Sequence, residues 1–460
     1  MDKYKRLFSN TIIFAIGTFS SKLLSFFLTR LYTEVLSQGE YGITDMLQQS
    51  GNLLLPLLTL GITNAVVRFG LDKGVRKSDV FTTGLLSLFG GIVLLLLISP
   101  LLGLIPLITD YVWLLCVFVL TSSLRSLCAQ FVRAQNRVRL FAIDGILSTL
   151  TTILFNILYL VVFKFGIVGY MFSIICSDVL SVVFLMVVAR LHRFINVRSL
   201  DFSVTRSMLK YAIPLIPNTV LWWITNVSDR YIVSWVWDES YTGLYAAAYK
   251  IPSLVILVSG IFMDAWQISA VTEEEGRNRF YTKVTSLYGA LLFVMASGVI
   301  LVTRFVPHIL FAEEYYEAWR YIPLLTIAVV FTCLVNFLGS IYMVEKKSVR
   351  SLLTALLSAI INVVLNLLWI PKYGVNGAAA ATLVCYLVVF IVRLLDTRRY
   401  VRIRWQYLRL ILCTGVVLSQ TVIMLCETPF WLVWEILLFG AMLALCGKDL
   451  LSGVKHMLKR

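Results

Sequence analysis

TIIFAIGTFSSKLLSFFLTRLY, residues 11–32, decides the fold. Crossing the hydrocarbon of a bilayer takes about 20 mostly apolar residues in a helix. This run is 22 residues long, and Lys22 and Arg30 are its only charges. Lys3, Lys5 and Arg6 precede it, as basic residues precede a signal peptide. The apolar part of a signal spans only about 7–15 residues and ends at a small-residue cleavage site. Here the run is longer and no A-x-A site follows, so a first membrane span that is retained is expected.

Comparable runs fill the rest of the chain. Their approximate limits are 42–67, 80–103, 111–132, 140–163, 166–189, 209–235, 242–270, 284–302, 320–344, 350–370, 375–392, 406–425 and 429–447, giving about 14 spans in all. The 460 residues are 59% hydrophobic and 14% charged, with a mean hydropathy of +0.86. Soluble domains are about 45–50% apolar and about 25% charged. A soluble enzyme, a nucleic-acid reader, a secreted disulfide scaffold and a disordered chain are therefore excluded as the main body. The remaining class is an all-α polytopic membrane protein.

The formal charge of +15 has a membrane explanation. With the N-terminus inside, 31 of the 40 Lys and Arg residues fall on inner connections and the tail, and four on outer ones. Basic residues collect on the cytoplasmic side of membrane proteins. This places both termini in the cytoplasm and removes the case for nucleic acid. The eight cysteines are scattered without a C-x-x-C, and His192, His308 and His456 lack ligand spacing. No metal, cofactor or thiol redox site is expected.

Two echoes point to an internal duplication. Arg30 and Tyr41 are eleven residues apart, as are Arg230 and Tyr241; Glu40 with Gly42 and Glu239 with Gly243 accompany them. KFGIVG (Lys164 to Gly169) matches KYGVNG (Lys372 to Gly377), each after a helix carrying an asparagine, Asn156 or Asn362. The offsets are 200 and 208 residues. An even number of spans separates the copies, so they share one orientation, as in transporters built from parallel repeats. The expected organisation is an N-lobe over 1–189, an interfacial linker over 190–208, a C-lobe over 209–398, and two accessory helices with a basic tail over 399–460. The lobes are two pseudo-symmetric six-helix bodies. AIPLIP (Pro214, Pro217) and Pro252 are expected to kink the second lobe's first helices, and GAAAAT (Gly377 to Thr382) offers a small-residue packing face.

Charges inside spans mark function, because each costs roughly 2.5–3.5 kcal/mol on insertion scales. They concentrate in the first hairpin of each repeat. Lys22, Arg30, Arg125, Arg230 and Lys250 are the cations, set against Asp45, Asp178, Asp229 and Asp264. A hydrated chamber with a basic surplus suits an anionic substrate such as a diphosphate head group. Snorkelling to the headgroups is the alternative for Arg30, Asp229 and Arg230, near helix ends. Asp178 and Asp264 could equally couple ions or make structural hydrogen bonds.

A resemblance rests on KYAIPLIPNTVLWWITNVSDRYIVSWVWDESYTGLYAAAYKIP (Lys210 to Pro252), LFAEEYYEAWRYIPLL (Leu310 to Leu325) and PKYGVNGAAAATLVCYLV (Pro371 to Val388). These resemble bacterial polysaccharide transporters, the oligosaccharide flippases of the multidrug/oligosaccharidyl-lipid/polysaccharide (MOP) superfamily. The resemblance implies two six-helix lobes around a V-shaped cavity working by alternating access. It implies movement of an undecaprenyl-diphosphate-linked oligosaccharide from the inner to the outer leaflet of a bacterial cytoplasmic membrane, for cell-surface polysaccharide biosynthesis. Partners would be that lipid-linked glycan, membrane lipid, H+ or Na+ as coupling ion, and the pathway's polymerase and glycosyltransferases, with no cofactor. By motif position Asp229, Arg230, Tyr241 and Lys250 carry over. Lys22, Arg30 and Arg125 join them as substrate-binding candidates by charge, and Asp45, Asp178, Asp229 and Asp264 as ion-coupling candidates. Alternatives are a lipid II-type flippase, a cation-coupled drug exporter, or a membrane polymerase or glycosyltransferase. An enzyme would need a sizeable outer loop, and the longest here, 303–319 with Glu313, Glu314 and Glu317, is short; a basic chamber repels cationic drugs.

Overall fold

The structure is a computed structural model. It describes residues 26–458 apart from 73, 105–107, 199 and 273–276; residues 264–265, 268–272, 277 and 452–458 are described by backbone alone. The described residues form helices and connecting turns, without a strand. The chain divides into two compact units, Met1–Trp223 and Ile224–Arg460.

In the first unit, α1 covers 26–35, followed by α2 (Gln38–Leu58), α3 (Ile62–Leu71), α4 (Lys77–Leu102), α5 (Val112–Ala134), α6 (Val138–Asn156), α7 (Gly166–Val188) and α8 (Phe202–Ala212). Ser37 starts α2 with a capping box: its side chain accepts from Glu40 N–H, and the Glu40 carboxylate accepts from Ser37 N–H, satisfying two otherwise orphaned donors. Gly61, in the left-handed region at φ 62, ends that helix and turns the chain into α3, bending the pair by 56°. α5 is the unit's axis and packs on α2, α3, α4, α6 and α7. The 190–208 stretch contributes a short turn (Leu191–Phe194) and then α8, which Asp201 caps through Ser203 N–H at 2.8 Å and which packs on α3 and α4.

The second unit takes in most of α9 (Ile216–Val236), then α10 (Glu239–Thr272), α11 (Arg277–Leu301), the short α12 (Val306–Leu310), α13 (Ile322–Val344), α14 (Ser348–Thr397), α15 (Tyr407–Leu425) and α16 (Trp431–Leu458). α13 is buried on nearly every side from Ile322 to Tyr342, as expected of a helix apolar all round, and packs on α10, α11, α14 and α15. α15 and α16 pack on each other and on α11. AIPLIP forms a tight 3-10 turn, Ile213–Leu215, between α8 and α9, whereas Pro252 lies within α10.

α14 is two helices. Gly374 breaks it at φ 60, ψ −142. The first unit carries the same device at the equivalent place: Gly166 has φ 55. The second glycine of each motif meets the preceding helix's backbone. A Cβ on Gly169 would lie 2.9 Å from the Tyr159 carbonyl oxygen, and one on Gly377 2.5 Å from that of Trp369. Both echoes of the K-x-G-x-x-G motif thus fold as a left-handed turn followed by close helix approach, which glycine permits. Ser177 and Cys385, 208 residues apart, each bond the carbonyl of a serine on the helix before, Ser148 at 2.8 Å and Ser358 at 3.2 Å.

Ten helices among the described residues are long and apolar enough to cross a membrane, or eleven if α2 and α3 form one bent span. The expected 14 are not reached, for physical reasons. α14 counts once although it holds two of the expected runs. α9, at the seventh, is diluted by Asn218, Asn226, Asp229 and Arg230. Much of the first run lies outside the described residues. Leu97 and Leu101 on α4 and Val187 on α7 are 72%, 64% and 67% exposed; such apolar belts require lipid around them. The protein is a multi-pass membrane protein.

Candidate functional site

A dense polar cluster lies among the described helices of each unit. In the first, α5 brings Arg125 and Ser122, α6 brings Asp144, and α7 brings Asp178 and Ser181. Arg125 Nη1 donates to Asp178 Oδ1 at 3.1 Å, its Nη2 lies 3.9 Å from Asp144 Oδ2, and its Nε donates to Ser181 Oγ at 3.2 Å. The Ser122 hydroxyl donates to Asp178 and the Ser181 hydroxyl to Asp144. The carboxylate side chains are only 3–4% exposed, whereas Arg125 keeps 30%. With both carboxylates ionised the cluster carries one negative charge more than its single arginine. Ion pairing and hydroxyl donors offset the desolvation of these charges.

In the second cluster α9 brings Asn226, Ser228, Asp229 and Arg230, α10 brings Tyr245 and Tyr249, and the two halves of α14 bring Asn362 with Asn366 and Thr382 with Tyr386. Asp229 Oδ1 accepts from the Arg230 N–H at 2.9 Å, and Oδ2 accepts from the Tyr245 hydroxyl at 2.6 Å and from Thr382 at 3.5 Å. Asn362 Oδ1 accepts from Ser228 at 3.0 Å and from Asn366 at 2.8 Å, while its amide donates to Thr382 at 3.3 Å. Tyr386 donates to Asn226 Oδ1 at 2.5 Å. Arg230, 5% exposed, donates to the Asn226 carbonyl at 2.8 Å and lies 5.2 Å from the Tyr249 ring centre, a cation–π distance. An acid held among hydroxyl and amide groups can bind and release a proton or a small cation as those groups reorient.

The other predicted residues stand apart. Arg30 pairs with Glu34 one turn along its own helix at 2.6 Å. Asp45 is buried, and Gln49 donates to it at 3.5 Å. Beside it, Tyr170 donates to Gln48 at 3.3 Å, and Asn156 donates to Tyr32 at 3.0 Å. Tyr241 is exposed and stands edge-on to Trp237, 5.4 Å away. Lys250 is half-buried on α10, and its carbonyl accepts from Ser253. Lys22 and the Asp264 side chain lie outside the described residues.

Two features lay beyond the sequence reading, and a third, Glu435, was legible there only as the single charge within the last span. Asp144 is the second acid on Arg125; a lone carboxylate inside an apolar run was the available signal. Arg393, counted among the inner connections, lies inside α14 and is 2% exposed, because the helix runs on to Thr397. It donates to the Val335 carbonyl at 2.8 Å and twice to Thr354 Oγ1, at 3.0 and 2.8 Å. Glu435 is buried between α15 and α11, where Gln420 donates to it at 2.8 Å and Ser297 donates to Gln420 at 2.8 Å. Glu313, Glu314 and Glu317 are exposed, while Tyr315 and Trp319 of the same loop turn inward. Among the described residues no group of three or more His, Cys, Asp or Glu side chains could hold a metal ion.

The model of the family described as "Polysaccharide biosynthesis protein" matches residues 7–267, more than half of the chain. The chain belongs to the polysaccharide biosynthesis protein family. A curated relative of this family member is the "Probable low-salt glycan biosynthesis flippase Agl15" of Haloferax volcanii, 21% identical over 228 residues. That alignment covers 46% of this chain and 46% of the relative, so the chain spans about half the length of the curated relative it matches. Among solved structures, the fold is similar to a lipid II flippase, MurJ, in an inward closed conformation: TM-score 0.71, 16% identity, covering 98% of this chain and 100% of that one. An inward-facing multidrug resistance MATE family transporter of the MOP superfamily gives TM-score 0.68 at 14% identity, over 83% of this chain and 94% of that one. The family expected from the sequence is thus shown, and the fold is that of these flippase and transporter structures.

Proposed function

We propose that the protein is a flippase that carries an undecaprenyl-diphosphate-linked oligosaccharide from the inner to the outer leaflet of a bacterial cytoplasmic membrane. It opens to each side in turn, with both termini in the cytoplasm. The observation that carries this reading is the family match over residues 7–267. The flippase named in the curated relative and the transporter fold of the solved neighbours support it. The positive-inside bias supports the orientation.

In this reading Arg125 is the arginine that meets the diphosphate. It keeps 30% of its side chain exposed while Asp178 and Asp144 hold it. Guanidinium groups bind carboxylates and phosphates through the same bidentate geometry, so the headgroup competes with Asp178 for Arg125. A proton on Asp178 weakens the internal pair and favours the exchange. Asp229 serves the second unit as an ion site for H+ or Na+, held by the buried Tyr245 and Thr382. Arg230 is packed under Tyr245 and Tyr249 and orients α9; it reaches a ligand only when α9 moves. The chain itself performs no bond chemistry, and the polymerase and glycosyltransferases of the pathway act before and after it.

The test is genetic. A strain lacking its own oligosaccharide flippase should regain surface polysaccharide when it carries the wild-type gene. Arg125→Glu should insert normally and leave lipid-linked oligosaccharide accumulating inside. Normal surface polysaccharide from a well-inserted Arg125→Glu protein would refute the role of Arg125.

A further inference from the structure

The two K-x-G-x-x-G turns share a backbone, yet their surroundings differ. In the first unit the space beside the turn is filled. The Tyr159 carbonyl meets Gly169, and the Tyr159 ring packs on Phe165 and on Phe172, centres 6.3 and 6.2 Å away. The Tyr159 hydroxyl lies 3.5 Å from Cys176 Sγ. In the second unit Trp369 takes the place of Tyr159, its carbonyl meeting Gly377. Tyr373 takes the place of Phe165, Asn376 that of Val168 and Ala380 that of Phe172, each 208 residues on. With alanine instead of phenylalanine there, the second unit has a pocket of about 380 Å³, lined by Leu324, Trp369, Tyr373, Asn376, Gly377 and Ala380. Small-molecule sites measure about 300–1,000 Å³.

The pocket's polar groups are not used by the fold. The Trp369 indole N–H, the Tyr373 hydroxyl and the Asn376 amide make no hydrogen bond among the described residues. Asn376 Oδ1 is buried, whereas its Nδ2 and Trp369 Nε1 keep accessible surface. Tyr373 is 65% exposed, so a ligand can reach the pocket. Trp237 flanks the same turn, 3.7 Å from the Cβ position of Gly374, and differs: its N–H donates to the Ile370 carbonyl at 3.1 Å. No charged side chain lines the pocket. The first unit makes the same turn with Val168 and Phe172, so the turn itself requires neither the amide nor the opening.

We propose that this pocket is a subsite for an uncharged sugar of the transported oligosaccharide. The proposal rests on the flippase reading; in the orientation given there the turn at Lys372 faces the outer side, where the glycan leaves. The negative face of an aromatic ring attracts the slightly positive C–H bonds on the apolar side of a sugar. The Trp369 and Asn376 N–H groups donate to sugar oxygens, and the Tyr373 hydroxyl donates or accepts. A phosphate would seek an arginine or lysine, which the lining lacks. Tryptophan and tyrosine also gather at membrane interfaces, but that tendency explains neither Asn376 nor the alanine opposite Phe172.

Isothermal titration calorimetry tests the subsite, on the full-length protein in nanodiscs free of sugar-headed detergent. The probe is the oligosaccharide released by mild acid from the lipid-linked pool of the flippase-lacking strain. Wild type should bind it. Asn376→Val and Ala380→Phe, each restoring the residue of the first unit, should weaken binding at least three-fold and at least ten-fold. Thermal unfolding of Asn376→Val should match wild type, and this variant decides if Ala380→Phe fails to fold. Folded variants that bind as wild type does overturn the subsite. So does a wild type that restores surface polysaccharide to the strain and yet does not bind the released oligosaccharide; the flippase reading then stands. Binding weakened by both variants, without movement of the lipid-linked form across vesicles, keeps the subsite and removes the flippase reading.

Discussion

Arg125→Gln removes the one cation shared by two carboxylates whose side chains are 3% and 4% exposed. Taking one partner from a fully buried ion pair costs about 3–5 kcal/mol, because the remaining charge stays desolvated. Arg125 is itself 30% exposed, and solvent screening brings the expected loss down to about 2–4 kcal/mol. Asp178→Asn is different. Asp144 still faces Arg125, the amide keeps a contact with Ser122, and one surplus negative charge is gone; the expected loss is below about 1 kcal/mol. Combining the two should cost less than the sum, with a coupling of about 1–2 kcal/mol, since the double variant leaves one buried carboxylate instead of two. The assay is unfolding of the purified protein by sodium dodecyl sulfate, followed by tryptophan emission, for wild type, both single variants and the double. Additive losses, or an Arg125→Gln protein as stable as wild type, would show that the triad does not work as one electrostatic unit.

Four further outcomes are expected. Gly374→Ala should cost about 1–2 kcal/mol for forcing a Cβ into the left-handed region, since the nearest neighbour, Trp237, leaves room at 3.7 Å. Gly377→Ala should cost more, about 2–3 kcal/mol of overpacking, because the Trp369 carbonyl stands 2.5 Å from the new Cβ and is backbone; thermal unfolding ranks the two. Arg393→Lys should destabilise by about 1.5–3 kcal/mol, because an ammonium cannot reproduce the planar fork that bonds Val335 and Thr354 together. Asp229→Asn should keep its place through Tyr245 and unfold at the wild-type temperature, yet lose ion-driven transport in vesicles; full transport would remove Asp229 from the coupling site.

Much of the fold was readable because a bilayer imposes one-dimensional rules. Span length, basic connections and the K-x-G-x-x-G turns are local properties, and the structure places Gly166 and Gly374 in matching turns. Charges within apolar runs were equally visible, and Arg125 with Asp178 meet as a pair. Asp144 was missed because neighbours in sequence give no hint of which helix face it shares with Arg125. Arg393 was misplaced because basic residues cluster at helix ends, so its burial inside α14 looked like a loop charge. The second cluster is built mostly from neutral groups, Asn226, Asn362, Thr382, Tyr245 and Tyr386. Each costs little in a span; Asn362 and Thr382 stood out only for the repeat and the packing face, and packing alone brings all five around Asp229.

Transport itself can be observed with purified protein in vesicles that hold a fluorescent polyprenyl-diphosphate oligosaccharide. An impermeant reagent that destroys only outward-facing label reports its movement between leaflets. The lipid-linked sugar should change sides faster with wild-type protein than in empty vesicles, and Arg125→Glu should abolish the gain. Folded wild-type protein that leaves the sugar where it started, or that moves a cationic dye in its place, would contradict the flippase assignment.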